Sequence, residues 1–202
     1  MGNELTCTVR FGKQESTGKA LLETTEILFR GDFRLKIAFR EIKSVSATNG
    51  ELLLNFPGGK AAFLLGPQAE KWAHKILHPK TPLEKVGVKE GQKVSVLGLA
   101  DADFLRQLKE RAGQLTTGKP LKDCDVLFFG TETASELAKI KKLMPFLKKD
   151  GALWIVYPKG QKVITEGDVL SAGRNAGLKD IKVVSFSETH TALKCVLPLN
   201  KR

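Results

Sequence analysis

The sequence predicts two domains of different class: a mostly antiparallel β barrel closed by a helix over residues 1–78 and, beyond a linker at 79–82, an α/β sheet domain over 83–202. Three observations carry this. Apolar residues alternate at period two up to about residue 65. The period then lengthens to 3.6 for a single helix, and after Pro79 and Pro82 short buried strands alternate with helices.

In the first domain Leu5, Cys7, Val9 and Phe11 alternate with Thr6, Thr8 and Arg10, and Phe33, Leu35, Ile37 and Phe39 alternate with Arg34, Lys36 and Ala38. Each set marks one face of a half-buried strand. KALLET, EILFR, IKSVSA, ELLLNF and KAAFLL complete about seven strands. Asn49-Gly50 reads as a type I′ hairpin turn, because both residues tolerate positive φ. In PQAEKWAHKILH, residues Ala69, Trp72, Ala73, Ile76 and Leu77 share one helix face, with Pro67 near its first turn.

The second domain opens with KVSVLGL as a buried strand and DADFLRQLKERA as a helix, with Asp101 at its N-cap. CDVLFFG is the next strand. A helical stretch runs from Glu132 to about Leu147, with Pro145 ending it. ALWIVYP is a third strand. Thr165 and Asp168 form a capping-box pattern for the helix TEGDVLSAGRNAG, and Gly177 fits its C′ position. IKVVSFS and TALKCVLP close the chain as a hairpin. The predicted class is a truncated Rossmann-like sheet ending in an antiparallel hairpin.

Seven strands and a closing helix bearing Trp72 resemble the pleckstrin-homology-like barrel over residues 1–78. In lipid-binding members that resemblance implies a basic first hairpin. Here RFGKQESTGK holds Arg10, Lys13 and Lys19 diluted by Glu15, and reads as a solvated hairpin. In the second domain VKEGQKVSVLG resembles the opening strand of class I S-adenosylmethionine methyltransferases, CDVLFFG their fourth strand, LKKDGALWIVYP their fifth, and the terminal hairpin their sixth and seventh. Residues 83–198 also resemble a bacterial domain family of unknown function with an abbreviated sheet of this kind.

The methyltransferase resemblance implies an acidic residue and a glycine-rich turn after the first strand. The acidic position falls on Val96, Gly98 keeps the first glycine, and the next two positions are Ala100 and Ala102. The resemblance further implies two strands and a helix, with a ribose-binding acid, where only GQLTTGKPLK is present. Asp125 matches an acid that opens the fourth strand, and equally serves to end a loop.

The functional expectation is a non-catalytic binding or assembly module, with no catalytic residue, metal or cofactor, acting on a protein partner or as a homo-oligomer. One alternative is an S-adenosylmethionine-dependent methyltransferase or another adenosyl-ligand binder. A second is weak electrostatic association with nucleic acid or anionic membrane. The ligand-binding candidates are Gly98, Asp101, Thr131, Tyr157 and Lys159, the last two in YPKGQK at the end of a strand where open α/β sheets take ligands.

The net charge of +11 divides into +3 for residues 1–78 (11 basic, 8 acidic) and +8 for 79–202 (22 and 14), with no run of more than two adjacent bases. It reads as dispersed. Cys7, Cys124 and Cys195 read as reduced core thiols. His74 and His78 are spaced for a metal but lack an HExxH, and His190 reads as a solvent-facing turn residue. No apolar run reaches the roughly 18 residues of a membrane span, so a cytoplasmic location is expected.

Overall fold

In the computed structural model, which describes residues 3–201, seven strands near the amino terminus form one curled antiparallel sheet, a half-barrel. They are β1 (Asn3–Phe11), β2 (Gln14–Leu22), β3 (Glu26–Arg30), β4 (Arg34–Ala38), β5 (Ser44–Thr48), β6 (Glu51–Phe56) and β7 (Gly59–Leu64). Their order is β4-β3-β2-β1-β7-β6-β5, so every pair is a sequential hairpin except β1 with β7. Asn49 (φ 52°) and Gly50 (φ 78°) make the β5–β6 turn, both at the positive φ that a type I′ turn requires.

Helix α1 (Ala69–Leu77) packs on β5 and β6 and inserts Trp72, 1% exposed, into a core with Phe29 and Phe63. Pro67 lies in a single 3₁₀ turn just before it. On the first hairpin Arg10 pairs with Glu15 (3.2 Å) and Glu51 (2.9 Å), and Lys19 with Glu4 (2.7 Å). Two of its three bases thus already have carboxylate partners.

The chain divides into two compact units, Met1–Lys80 and Thr81–Arg202. The expected linker at 79–82 is shorter in the structure, because its last two residues start a helix. Thr81 caps α2 (Pro82–Val86) in a full capping box: its Oγ1 accepts from Glu84 N (3.3 Å), and its own N–H donates to Glu84 Oε2 (2.8 Å). Brief trypsin treatment should therefore cut first after the exposed Lys80, ahead of any bond inside α2. Mass spectrometry of the first two fragments checks this, and an earlier cut within either unit would contradict it.

The second unit holds a six-stranded sheet in the order β12-β13-β11-β10-β8-β9. Its elements are β8 (Lys93–Leu97), α3 (Ala102–Arg111), β9 (Gln114–Thr117), β10 (Cys124–Gly130), α4 (Ile140–Leu143), β11 (Leu147–Pro158), α5 (Glu166–Asn175), β12 (Lys179–Ser185) and β13 (His190–Val196). β9, β8, β10 and β11 run parallel, and β13 turns antiparallel to β11 and pairs with β12. One core lies on each face. Trp154, Phe104, Phe128 and Val96 fill the side under α2 and α3, and Leu127, Ile155, Tyr157 and Val169 fill the side under α4 and α5.

Two expectations are corrected here. Gln114–Thr117, read as connecting loop, is a strand paired in parallel with β8 from Lys93↔Gln114 to Val96↔Thr117. Four residues suffice because an edge strand needs only one partner. The helix expected from Glu132 to Leu147 is broken into 3₁₀ turns at 134–139 and 144–146 around the four-residue α4. Pro145 has no N–H to continue it. At the other end Glu136 turns its carboxylate back to Thr131 Oγ1 (3.2 Å) and Glu132 N (3.4 Å), tightening the first turns.

Asp125 ties the sheet together at its amino-terminal edge. Its carboxylate accepts from Lys93 N in β8 (2.8 Å) and from Lys148 Nζ in β11 (2.6 Å). Burial pushes this carboxyl upward, but the bonds from Lys148 and Lys93 outweigh it, so its pKa lies below the ordinary 3.8. A depressed carboxyl stabilises fully above its unfolded pKa and loses that contribution as pH falls through the folded value. Asp125→Asn should therefore cost about 1–3 kcal/mol at neutral pH. The gap to wild type should close as pH drops below 3.8, which urea titrations at several pH values would measure. A gap that does not vary with pH would refute the ionic account.

Candidate functional site

In an open parallel sheet, ligands settle outside the carboxyl ends of the strands, where the strand order reverses. That point is fixed here by topology. The chain passes from β8 outward to β9, then returns to β10 on the other side of β8, so the crevice belongs between the ends of β8 and β10. Gly98 and Gly130 occupy it.

Gly98 follows β8 at φ 69°, a left-handed conformation open to glycine. A Cβ placed on Gly98 would overlap the carbonyl oxygen of Gly130, and one on Gly130 would overlap that of Gly98. The two backbones are therefore in direct contact, and Leu99 lies against Gly130 as well. Val96, at the position of the expected acid, is 1% exposed and belongs to the core. Beside it the chain after β9 folds back: Gly118 N donates to Val96 O (2.9 Å), and Thr116 Oγ1 donates to Lys119 O (2.8 Å). No acidic residue stands at the end of β9; the positions after Thr117 are Gly118 and Lys119.

The remaining candidates are placed as follows. Asp101 is the N-cap of α3, its Oδ1 accepting from Phe104 N (2.9 Å), which uses the carboxylate in the helix itself. Thr131 is 3% exposed; its N–H donates to Val156 O (3.0 Å), and its hydroxyl donates to Thr133 O (2.9 Å) and toward Glu136. Lys159 reaches back across the end of β12, its Nζ donating to Ser185 Oγ (2.7 Å) and Ser187 O (2.5 Å). Burial lowers the Lys159 pKa, and nearby Glu188 partly offsets this.

Tyr157 is 4% exposed, and its hydroxyl is the buried side-chain polar atom without a hydrogen-bond partner among the described residues. Burial, with Glu166 nearby, pushes its pKa up to about 12, so it stays a neutral phenol. His190, expected to face solvent in a turn, is instead half-buried. Its Nε2 lies 3.3 Å from Glu132 Oε1 and its Nδ1 2.8 Å from Thr189 Oγ1. A β-strand that begins at His190 next to the β10 loop brings this about, and a linear sequence does not reveal it.

The structure thus brings Gly98, Thr131, Tyr157 and Lys159 to one edge of the sheet, and places Asp101 at the start of the following helix. Apart from Tyr157, their polar atoms are engaged with neighbouring backbone and side chains. Lys159 is held by oxygens as a strut, and Thr131 closes its own loop. Two clefts lie elsewhere. One of about 440 Å³ is lined by Thr81, Glu84, Glu90, Gln107 and Arg111, toward the opposite end of β8. The other, of about 310 Å³, is lined by Thr48, Gly50, Gly66 and Pro67 in the first unit.

Among the described residues no three of His, Cys, Asp or Glu are placed to share a metal ion, and the rings of His74 and His78 lie tilted to each other with centroids 4.7 Å apart. The three cysteines are buried and unpaired; burial pushes Cys7 up to about 11 and Cys195 up to about 12, which makes them inert thiols at neutral pH. No helix among the described residues is long and apolar enough to cross a membrane.

No known protein family and no curated protein matches the chain. Solved structures do. A SAM-dependent methyltransferase from Aquifex aeolicus is similar at 17% identity over 56% of this chain and 86% of its own, with a TM-score of 0.47. A TehB-like SAM-dependent methyltransferase from Corynebacterium glutamicum is similar at 13% identity over 64% and 96%, with a TM-score of 0.40. CalO1, a methyltransferase in calicheamicin biosynthesis in its SAH-bound form, is similar at 11% identity over 65% and 58%, with a TM-score of 0.44.

Proposed function

We propose that the protein is a non-catalytic binding or assembly module, in which residues 81–202 keep a methyltransferase-like sheet but close its cofactor crevice. The observation that carries this reading is the backbone contact between Gly98 and Gly130 at the point where strand order reverses. Glycine is needed there so that two strand ends can touch. We take this contact to close the crevice between the two strand ends. Val96 and the Gly118-Lys119 turn then leave no carboxylate to hold a ribose.

Losing the close turn and the ribose contacts removes about 1–3 kcal/mol each, so even a micromolar affinity falls to roughly millimolar. Calorimetric titration with S-adenosylmethionine and with its demethylated product should show no saturable binding up to about that range. A dissociation constant in the low micromolar range would overturn the reading. It would favour instead an adenosyl-ligand binder or methyltransferase. One observation supports that second reading: Gly98 stands in a left-handed conformation at the carboxyl end of β8, beside the reversal point.

A further inference from the structure

Lys85, Lys182 and Lys194 meet where α2 packs on β12 and β12 pairs with β13. Lys182 Nζ donates to Lys85 O (3.0 Å) near the end of α2. Lys182 faces Lys194 across the β12–β13 pair, and Lys194 Nζ sits 5.8 Å from the centre of the Trp154 ring. Lys159, its ammonium held by Ser185 and Ser187, adds its charge to that of Lys85 without being free to grip a ligand. Lys89, in the segment after α2, adds its charge to that of Lys194.

Lys85 and Lys194 each feel the charge of other lysines in the group. Burial and then the charges of Lys182 and Lys89 lower the Lys194 pKa, and burial and then the charge of Lys159 lower that of Lys85. Among the described residues none of the five belongs to an ion pair. Of the carboxylates close by, Glu84 caps α2, and the charge of Glu188 partly offsets the lowering of the Lys159 pKa.

Lys85, Lys159 and Lys194 are half-buried while Lys89 and Lys182 are exposed; like charges gathered in this way cost stability, and an anion brought among them removes that cost. Ammonium groups are compact point charges suited to phosphate, without the planar fork that selects a carboxylate. Lys182 and Lys194 are directly paired across the strands and Lys182 Nζ touches the backbone of Lys85, a compact arrangement that fits a small anion. Trp154 and Phe186 beneath it are 1% and 3% exposed, so no aromatic face is offered for a base to stack on. We propose that this corner of α2, β12 and β13 is a binding site for a compact anion carrying two or more phosphates, free or as a lipid headgroup.

Inorganic tripolyphosphate, titrated calorimetrically into the full chain, probes the free form. Vesicles containing a bisphosphorylated inositol lipid probe the headgroup, against vesicles of zwitterionic lipid alone. Saturable binding is expected in at least one arm, and the arm that binds identifies the source. Lys85→Gln with Lys194→Gln should weaken it at least about tenfold, the equivalent of 1.4 kcal/mol. Lys141→Gln with Lys142→Gln, an equal change of charge on α4, should weaken it less than about twofold. Because Lys194 rests on Trp154, Lys89→Gln on an exposed side chain serves as a second variant, and it should weaken binding without lowering the melting temperature. Absence of saturable binding in both arms would overturn the proposal. So would equal weakening by the α4 pair, or tighter binding of a DNA duplex than of either phosphate probe.

Discussion

Gly98→Ala should leave the second unit less stable by about 2–6 kcal/mol, enough to unfold it in part or entirely. Two effects add. Alanine at φ 69° is strained, which costs about 1–3 kcal/mol. Its Cβ would also meet the Gly130 carbonyl, and forcing the strand ends apart costs about 1–3 kcal/mol more. Gly118→Ala separates the two effects, since Gly118 is also left-handed (φ 79°) but has open space where a Cβ would go. It should lose only the strain. Gly130→Ala, which meets the same contact from the other side at an ordinary φ, should lose only the overpacking. Urea denaturation followed by Trp154 fluorescence, each substitution made in a Trp72→Phe background, would rank the three. If Gly98→Ala proved no worse than Gly118→Ala, the crevice would be open, and the case for a closed cofactor corner would fall with it.

Trp72→Ala should cost the first unit about 3–5 kcal/mol, because the indole is 1% exposed and its removal leaves a cavity between α1 and the half-barrel. Against a typical total of about 5–15 kcal/mol this is a large share. The chain has two tryptophans, one in each unit, so the variant carries its own reporter. With Trp72 gone, fluorescence follows Trp154 and the second unit alone, while far-UV circular dichroism follows both. Dichroism should show an early transition that fluorescence does not. Coincident early transitions in both signals would mean that the two units unfold as one.

Much of this architecture was legible because local chemistry agrees with it. The alternation around Leu5 to Phe11, the Asn49-Gly50 turn, the Asp101 cap and the Thr165–Asp168 box each appear where the residue pattern places them. What escaped was short or non-local. α2 spans five residues, too few for a 3.6 period, though Thr81-Pro82-Leu83-Glu84 is itself a capping-box signature that could have revealed it. β9, with one partner and four residues, has no alternation to read. In the candidate site Gly98 was visible as a glycine, but its reason was not, since Gly130 lies 32 positions away in sequence and only the parallel pairing of β8 and β10 brings them together. The lysines read as dispersed for the same reason: sequence spacing carries no information about β12 and β13 meeting α2.

The strand order of the two sheets also sets the order in which they can form. In the first unit six strand pairs connect seven strands, and all but β1 with β7 join neighbours through short turns, so little chain entropy is lost before each pairing is rewarded. In the second unit β8 must wait for β10, and β10 for β11, across intervening helices, because parallel strands cannot be joined by a tight turn. Nascent chain leaving a ribosome therefore meets the quick half first. The half-barrel can close while the parallel strands are still being made, and the slow step of refolding should belong to β8, β10 and β11, whose apolar edges stay open to misassociation the longest.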